Sequence, residues 1–366
     1  MPGGKKIEFR RAMKSICIFT NTLLNGGAEK QAVFLAKALT KEYNVWLVVY
    51  YGHKTEQKFI DIIKENNLKA IYLNGSHLKR CYCFYRFLRK ESINIIFSYL
   101  LTTNFIGGLI GKIAGVKYTI GGIRNSKFSK RKLLIQKSLN NYINKFTIYN
   151  NHCGFKDLLR KGFKSKKALV IPNCLEFKNK LTLRSNVDNL TIISVGRFQK
   201  QKDYFTAIKS ARRLRDHFNK FNYIIIGYGK LENQLHDWIN DVEAAEYIKV
   251  IINPDNLDEY YEKADIYLMT SIFEGLSNAV LEAMSFSLPL VITNVGDNDR
   301  LVVDGKNGFL CEPKNSSQIA GYLLDLCLSY DKRIEFGERS YELLKENYSY
   351  EKFQKRYINF IEGLEL

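Results

Sequence analysis

Along this chain, short runs rich in β-branched and aromatic residues alternate with stretches whose apolar positions recur every three or four residues. SICIFT, NVWLVVY and KAIYL read as buried strands, with GAEKQAVFLAKALTKEY and residues 57–66 as the helices between them. The pattern continues through INIIFSYL, an apolar helix over 103–114, KYTIGGI, a basic helix over 129–143, and KFTIYN. Strands joined this way pair in parallel, because the helix must carry the chain back to the starting end of the sheet. After KALVIPN the alternation restarts with NLTIISVGR, DYFTAIKSARRLRDHF, NYIIIGYG, KLENQLHDWINDV, IKVII, NLDEYYEKA, DIYLMT, SNAVLEAMSF, LPLVITN and GFLCE. Beyond Pro313 the chain reads as helical to its end, and YEKFQKRYINFIE carries an apolar stripe that needs a surface to cover.

At 366 residues the chain exceeds what one hydrophobic core usually supports, so two Rossmann-like doubly wound domains are expected, over 13–172 and 173–349. Polar LEFKNKLTLRSNVDN marks the linker region, and 350–366 is expected to pack back toward the first domain. Met13 reads as a natural start, which makes the polar residues 1–12 an expected added leader or disordered segment. With 46% hydrophobic and 25% charged residues, a disordered or fibrous protein is excluded. Seven cysteines without paired spacing read as reduced core thiols in a cytoplasmic protein. The longest apolar stretch, 95–110, falls short of the roughly 20 residues of a membrane span, which leaves only peripheral membrane contact.

The net charge of +19 is unevenly placed. Residues 1–172 hold 32 Lys+Arg against 8 Asp+Glu, while 173–366 hold 24 against 29. Between Ser92 and Lys156 there is no acidic residue at all. An anionic partner for the first domain follows. The basic and aromatic segments around Lys79 and Arg80, and around Lys127, Lys130, Arg131 and Lys132, mark that surface.

Two segments of the second half concentrate candidate chemistry. In ADIYLMTSIFEGLSNAVLEAMSF a buried strand leads through Glu274, Gly275 and Leu276 into a helix opening near Ser277. Free N–H groups and the positive helix end favour phosphate there, while Glu274 and Glu282 can accept hydrogen bonds from sugar hydroxyls. In ISVGRFQKQKDYFTAI a strand ends at Gly196-Arg197 and a polar loop brings Lys202. A guanidinium fork and a mobile ammonium at one strand end suit a diphosphate. Gly26-Gly27 lies at an equivalent strand-to-helix turn in the first half.

Taken with VIPNCLE, IIIGYGKLENQL and DGKNGFLCEP, these motifs resemble the retaining family 4 glycosyltransferases of the GT-B fold, over nearly the whole chain. The resemblance implies two Rossmann-like domains facing a central cleft, and a nucleotide-sugar donor, with a UDP-sugar favoured. It assigns Arg197 and Lys202 to the donor diphosphate, Glu274 to the donor sugar, and the backbone of Gly275, Leu276 and Ser277 to sugar and phosphate oxygens. Glu282 goes to the ribose, and Gly196 and Gly27 to close backbone approach. It implies no metal and no other cofactor. Two departures stand out: GGIRNSKFS offers Arg124 where many relatives carry a histidine, and Arg300 stands where relatives often have a glutamate.

The expected reaction is hexosyl transfer with retained configuration, the departing phosphate oxygen taking the acceptor proton. The basic first domain points to a lipid-linked or oligosaccharide acceptor at an anionic membrane surface, in surface polysaccharide or glycoconjugate synthesis. A nucleotide-sugar 2-epimerase of the same fold is the nearest rival reading. A nucleic-acid-binding protein would explain the charge, but the chain shows no nucleic-acid module and nucleic acid is not expected as a partner.

Overall fold

A computed structural model describes residues 14–24, 26–124, 128–177 and 186–364. The chain divides into two compact units: 1–150 with 154–171 and 354–366, and 151–153 with 172–353.

The first unit is a seven-stranded parallel sheet of β1 (Ser15–Thr20), β2 (Asn44–Val49), β3 (Lys69–Tyr72), β4 (Ile95–Tyr99), β5 (Tyr118–Ile123), β6 (Phe146–Tyr149) and β7 (Ala168–Val170), in the order β3-β2-β1-β4-β5-β6-β7. Its helices are α1 (Gly27–Leu39), α2 (Gln57–Glu65), α3 (His77–Lys90), α4 (Leu100–Ile113), α5 (Lys130–Ser138) and α6 (His152–Arg160), whose first two residues belong to the second unit. Helix α4 begins three residues earlier than the periodicity suggests, with Leu100 at φ 73° turning the chain directly out of β4. The basic helix expected over 129–143 keeps its α-form only to Ser138 and closes in a π-turn, Leu139–Ile143.

The second unit holds β8 (Leu190–Val195), β9 (Phe221–Gly227), β10 (Ile248–Ile252), β11 (Ile266–Met269), β12 (Leu290–Thr293) and β13 (Gly308–Cys311), all parallel, in the order β10-β9-β8-β11-β12-β13. Around them run α7 (Tyr204–Arg215), α8 (Glu232–Asp241), α9 (Asp258–Lys263), α10 (Asn278–Ser285), α11 (Ser316–Leu328) and α12 (Tyr330–Tyr348). The central strands are buried on both faces, as helices above and below a parallel sheet require, while the edge strand β10 is only partly buried. Isoleucines alternate between the two cores: Ile192 and Ile225 belong to one, Ile193 and Ile226 to the other.

The last helix, α13 (Tyr350–Glu362), returns to the first unit from Gln354 onward. There Tyr357 meets Phe97 with ring centroids 5.5 Å apart, Phe360 meets Phe146 at 5.4 Å, and Gln354 Nε2 donates to the Ala38 carbonyl at 2.7 Å. Cys17, Cys174, Cys311 and Cys327 are buried thiols, whereas Cys153 is exposed and corrects its reading as a core residue. No helix among the described residues is long and apolar enough to cross a membrane. Residues 1–12 and Lys127 lie outside the described residues.

Candidate functional site

In an open parallel sheet, strands that leave in opposite directions from their neighbours open a crevice at their carboxyl ends. In the second unit that switch point lies between β8 and β11, which pair directly. Both candidate segments of the sequence start there: Gly196-Arg197 follows β8, and Thr270 to Ser277 follows β11.

Hydrogen bonds stitch the two segments together. Ile272 N donates to the Gln201 carbonyl at 2.9 Å, and Gln201 Nε2 returns to the Phe273 carbonyl at 2.9 Å. The Thr270 hydroxyl reaches the carbonyls of Lys202 and Asp203 at 3.0 and 2.9 Å. Held this way, Lys202 Nζ donates to Glu274 Oε1 at 2.7 Å, and the Ser271 hydroxyl donates to the same oxygen at 2.8 Å. The pair is largely sheltered, with side chains 15% and 10% exposed, so the charges act on each other and on a ligand with little screening.

Close approach fixes the turn after β8. A Cβ on Gly227 would lie 1.9 Å from the Gly196 carbonyl oxygen, and the Tyr204 hydroxyl donates to that same oxygen at 2.9 Å. Arg197 beside it is exposed. Ser277 precedes α10 without a side-chain capping bond, leaving the first-turn N–H groups of that helix to other acceptors. Glu282 lies one turn into α10, where the Tyr261 hydroxyl donates to it at 3.4 Å. Burial first, then Tyr204 and after it the two glutamates, push the Tyr267 phenol up; Tyr261 is raised by burial and then by Glu282. Both therefore remain neutral, and Tyr261 is the one that donates to a carboxylate, that of Glu282.

Two buried residues escaped the sequence reading. The run 297–299, outside the motifs named above, starts with Asp297 at 3% exposure. Its carboxylate accepts from the backbone N–H groups of His152 and Cys153, both at 2.6 Å, and its own N–H donates to the Gly275 carbonyl at 3.1 Å. Gly296, at φ 65°, lies so close to the Glu274 carbonyl that a Cβ would come within 2.5 Å. The loop after β12 is thus a brace under the loop after β11. Asn173, read only as part of a boundary motif, donates from Nδ2 to Asn278 Oδ1 at 3.0 Å on the first residue of α10.

In the first unit, Gly27 is the exposed first residue of α1, and Glu29 two residues on is buried and accepts the Thr22 hydroxyl at 2.9 Å. Arg124 follows β5, half-buried, with its guanidinium 4.5 Å from the Tyr99 ring centroid. Lys79, Lys130, Arg131 and Lys132 are exposed, as expected of a basic surface. Arg80 is not: it is 6% exposed, on the inner face of α3. The sequence reading counted it as surface because it stands in a basic run, yet helical spacing places it in line with Phe84, Phe87 and Leu88.

The family model for glycosyl transferases group 1 matches residues 176–343. A Haemophilus influenzae glycosyltransferase is 27% identical over 353 residues, spanning 93% of this chain and 98% of its own. The comparisons support a group 1 glycosyltransferase. A Campylobacter jejuni relative, the N-acetylgalactosamine-N,N'-diacetylbacillosaminyl-diphospho-undecaprenol 4-alpha-N-acetylgalactosaminyltransferase, is 24% identical across 84% of this chain and 88% of its own. Among solved structures, Anabaena HepE in complex with UDP superposes with a TM-score of 0.83 at 16% identity, over 96% of this chain and all of that one. That likeness is one of fold, and the fold of this chain is GT-B.

Proposed function

We propose that this chain transfers a hexosyl group from a nucleotide-sugar, with a UDP-sugar favoured, to a lipid-linked acceptor in surface polysaccharide synthesis, with retention of configuration and without a metal. The observation that carries the reading is the sheltered Lys202–Glu274 pair beside the uncapped start of α10 at the β8–β11 switch point. Cations and N–H groups at that point suit a diphosphate, and carboxylates suit hydroxyls. In this reading Lys202, with Arg197, stabilises charge growing on the departing β-phosphate as the bond from the anomeric carbon breaks. The departing oxygen takes the acceptor's proton as the acceptor oxygen bonds to the same carbon on the same face. Glu274 orients the sugar, and Glu282 holds the ribose.

Support for the donor comes from the UDP bound in the Anabaena structure, and support for the acceptor from the diphospho-undecaprenol in the Campylobacter relative's name. The test is thermal stabilisation by UDP, GDP, ADP and dTDP and their sugars, for the parent chain and Glu282→Ala, followed by turnover with EDTA present. One nucleotide should raise Tm at saturation, by the equivalent of about 2.7 kcal/mol at a hundred times Kd, and Glu282→Ala should abolish the rise. An inverted product anomer, loss of turnover in EDTA, or nucleotide release without acceptor would each remove the corresponding part of the reading.

We also place the enzyme at the cytoplasmic face of an anionic membrane. Leu78 and Tyr82 on α3 and Leu134 and Ile135 on α5 are exposed beside Lys79, Lys130, Arg131 and Lys132. Apolar side chains flanked by cations suit such a surface. The full chain is expected to sediment with phosphatidylglycerol vesicles at low salt and to be released at high salt. Equal binding to neutral vesicles would overturn this.

A further inference from the structure

Among the described residues Arg80 has no counter-charge. Its guanidinium lies 4.7 Å from the Tyr50 ring centroid and 4.4 Å from that of Tyr51, and Nε is sealed from solvent without a hydrogen-bond partner. No carboxylate among the described residues pairs with it. Stacking occupies the faces of a guanidinium and leaves its in-plane N–H donors to find acceptors. A cation nine-tenths buried without such acceptors is costly, and protein interiors seldom tolerate it.

The surroundings repeat the same sign. Tyr50 directly follows β2, at the carboxyl edge of the sheet where ligands of parallel sheets bind. Its hydroxyl lies 2.8 Å from His77 Nδ1. Burial and the neighbouring Cys81 push the Tyr50 phenol up to about 12, so it remains a neutral donor. His77 itself is exposed, so its ring can meet a ligand from solvent while Nδ1 faces the phenol. Lys54 Nζ adds a further cation 5.4 Å from the Tyr51 ring.

We propose that Arg80 and His77, framed by Tyr50 and Tyr51, form an anion subsite of the first unit that takes a phosphate or diphosphate group. Resting on the function proposed above, the source of that group is the diphosphate of the lipid-linked acceptor; free phosphate is the alternative source.

The test titrates inorganic pyrophosphate into the full chain carrying Lys202→Ala, which weakens binding at the second unit. Adding Arg80→Gln should weaken pyrophosphate binding about tenfold or more, the effect of removing a charge-assisted contact. Its Tm without ligand should hold or rise, because an uncompensated buried charge is gone. Unchanged binding, or a lowered Tm with unchanged binding, would make the stack purely structural and overturn the proposal. Should Arg80→Gln not fold, His77→Ala removes an exposed ring and should itself weaken binding; no effect there counts against the subsite. Farnesyl diphosphate supplies the other arm. Greater sensitivity of its binding than of pyrophosphate's to Arg80→Gln assigns the subsite to a lipid headgroup, and equal loss assigns it to any diphosphate. Absence of sugar transfer in the parent chain would sink the proposed function and leave these binding results standing.

Discussion

Replacing Lys202 by alanine is expected to lower kcat by about a hundred- to a thousand-fold while changing KM for the donor far less. The reason lies in timing. Lys202 is already paired with Glu274 in the structure, 2.7 Å away, so in the ground state its charge is largely answered. As negative charge builds on the leaving phosphate, the same ammonium gains a second partner, and an interaction that strengthens only then lowers the barrier rather than tightening binding. Glu274→Gln should behave differently. It keeps Lys202 in place and the Ser271 bond possible, so loss should fall on sugar recognition and appear in KM as well as kcat. Steady-state kinetics with the donor identified by thermal shift would decide. A Lys202→Ala enzyme with near-parental kcat would remove Lys202 from the reaction.

The second large effect is expected at Asp297. Asp297→Ala should destabilise the second unit by about 3 kcal/mol, because two buried N–H groups lose a charged acceptor at once. Urea unfolding would measure it. Asp297→Asn retains one acceptor oxygen and should recover part of the loss. Since the backbone of the same residue holds the Gly275 carbonyl, the alanine variant should also bind nucleotide more weakly at temperatures where it is folded. A stability within about 0.5 kcal/mol of the parent, the range of ordinary surface changes, would show that the brace carries no load.

The legible part of the molecule was legible for physical reasons. Strands buried on both faces leave continuous apolar runs, and their ends are punctuated by Gly196, Gly227 and Gly275, so both sheets and the two loops at the β8–β11 switch could be read directly. Helix α3 could not. Its inner face is Arg80, Phe84, Phe87 and Leu88, a proper helical period, but with a cation in the first buried position the segment reads as a basic patch. Asp297 was hidden differently: its partners are 144 and 145 residues earlier in the chain, and nothing local in an Asp-Asn-Asp run reveals them. In both cases a charged residue is buried, and composition alone assigns such residues to the surface.

The route of the last helix has a consequence for biogenesis. Residues 354–364 cover Phe97 and Phe146 in the first unit, yet they follow the whole of 172–353 in the chain. On the ribosome, the second unit emerges with nearly all of its own residues before that covering helix exists. The unit begun first is therefore completed only after the second, and until residues 354–364 have emerged its nascent form keeps two aromatic side chains uncovered, within reach of chaperones or of another nascent chain.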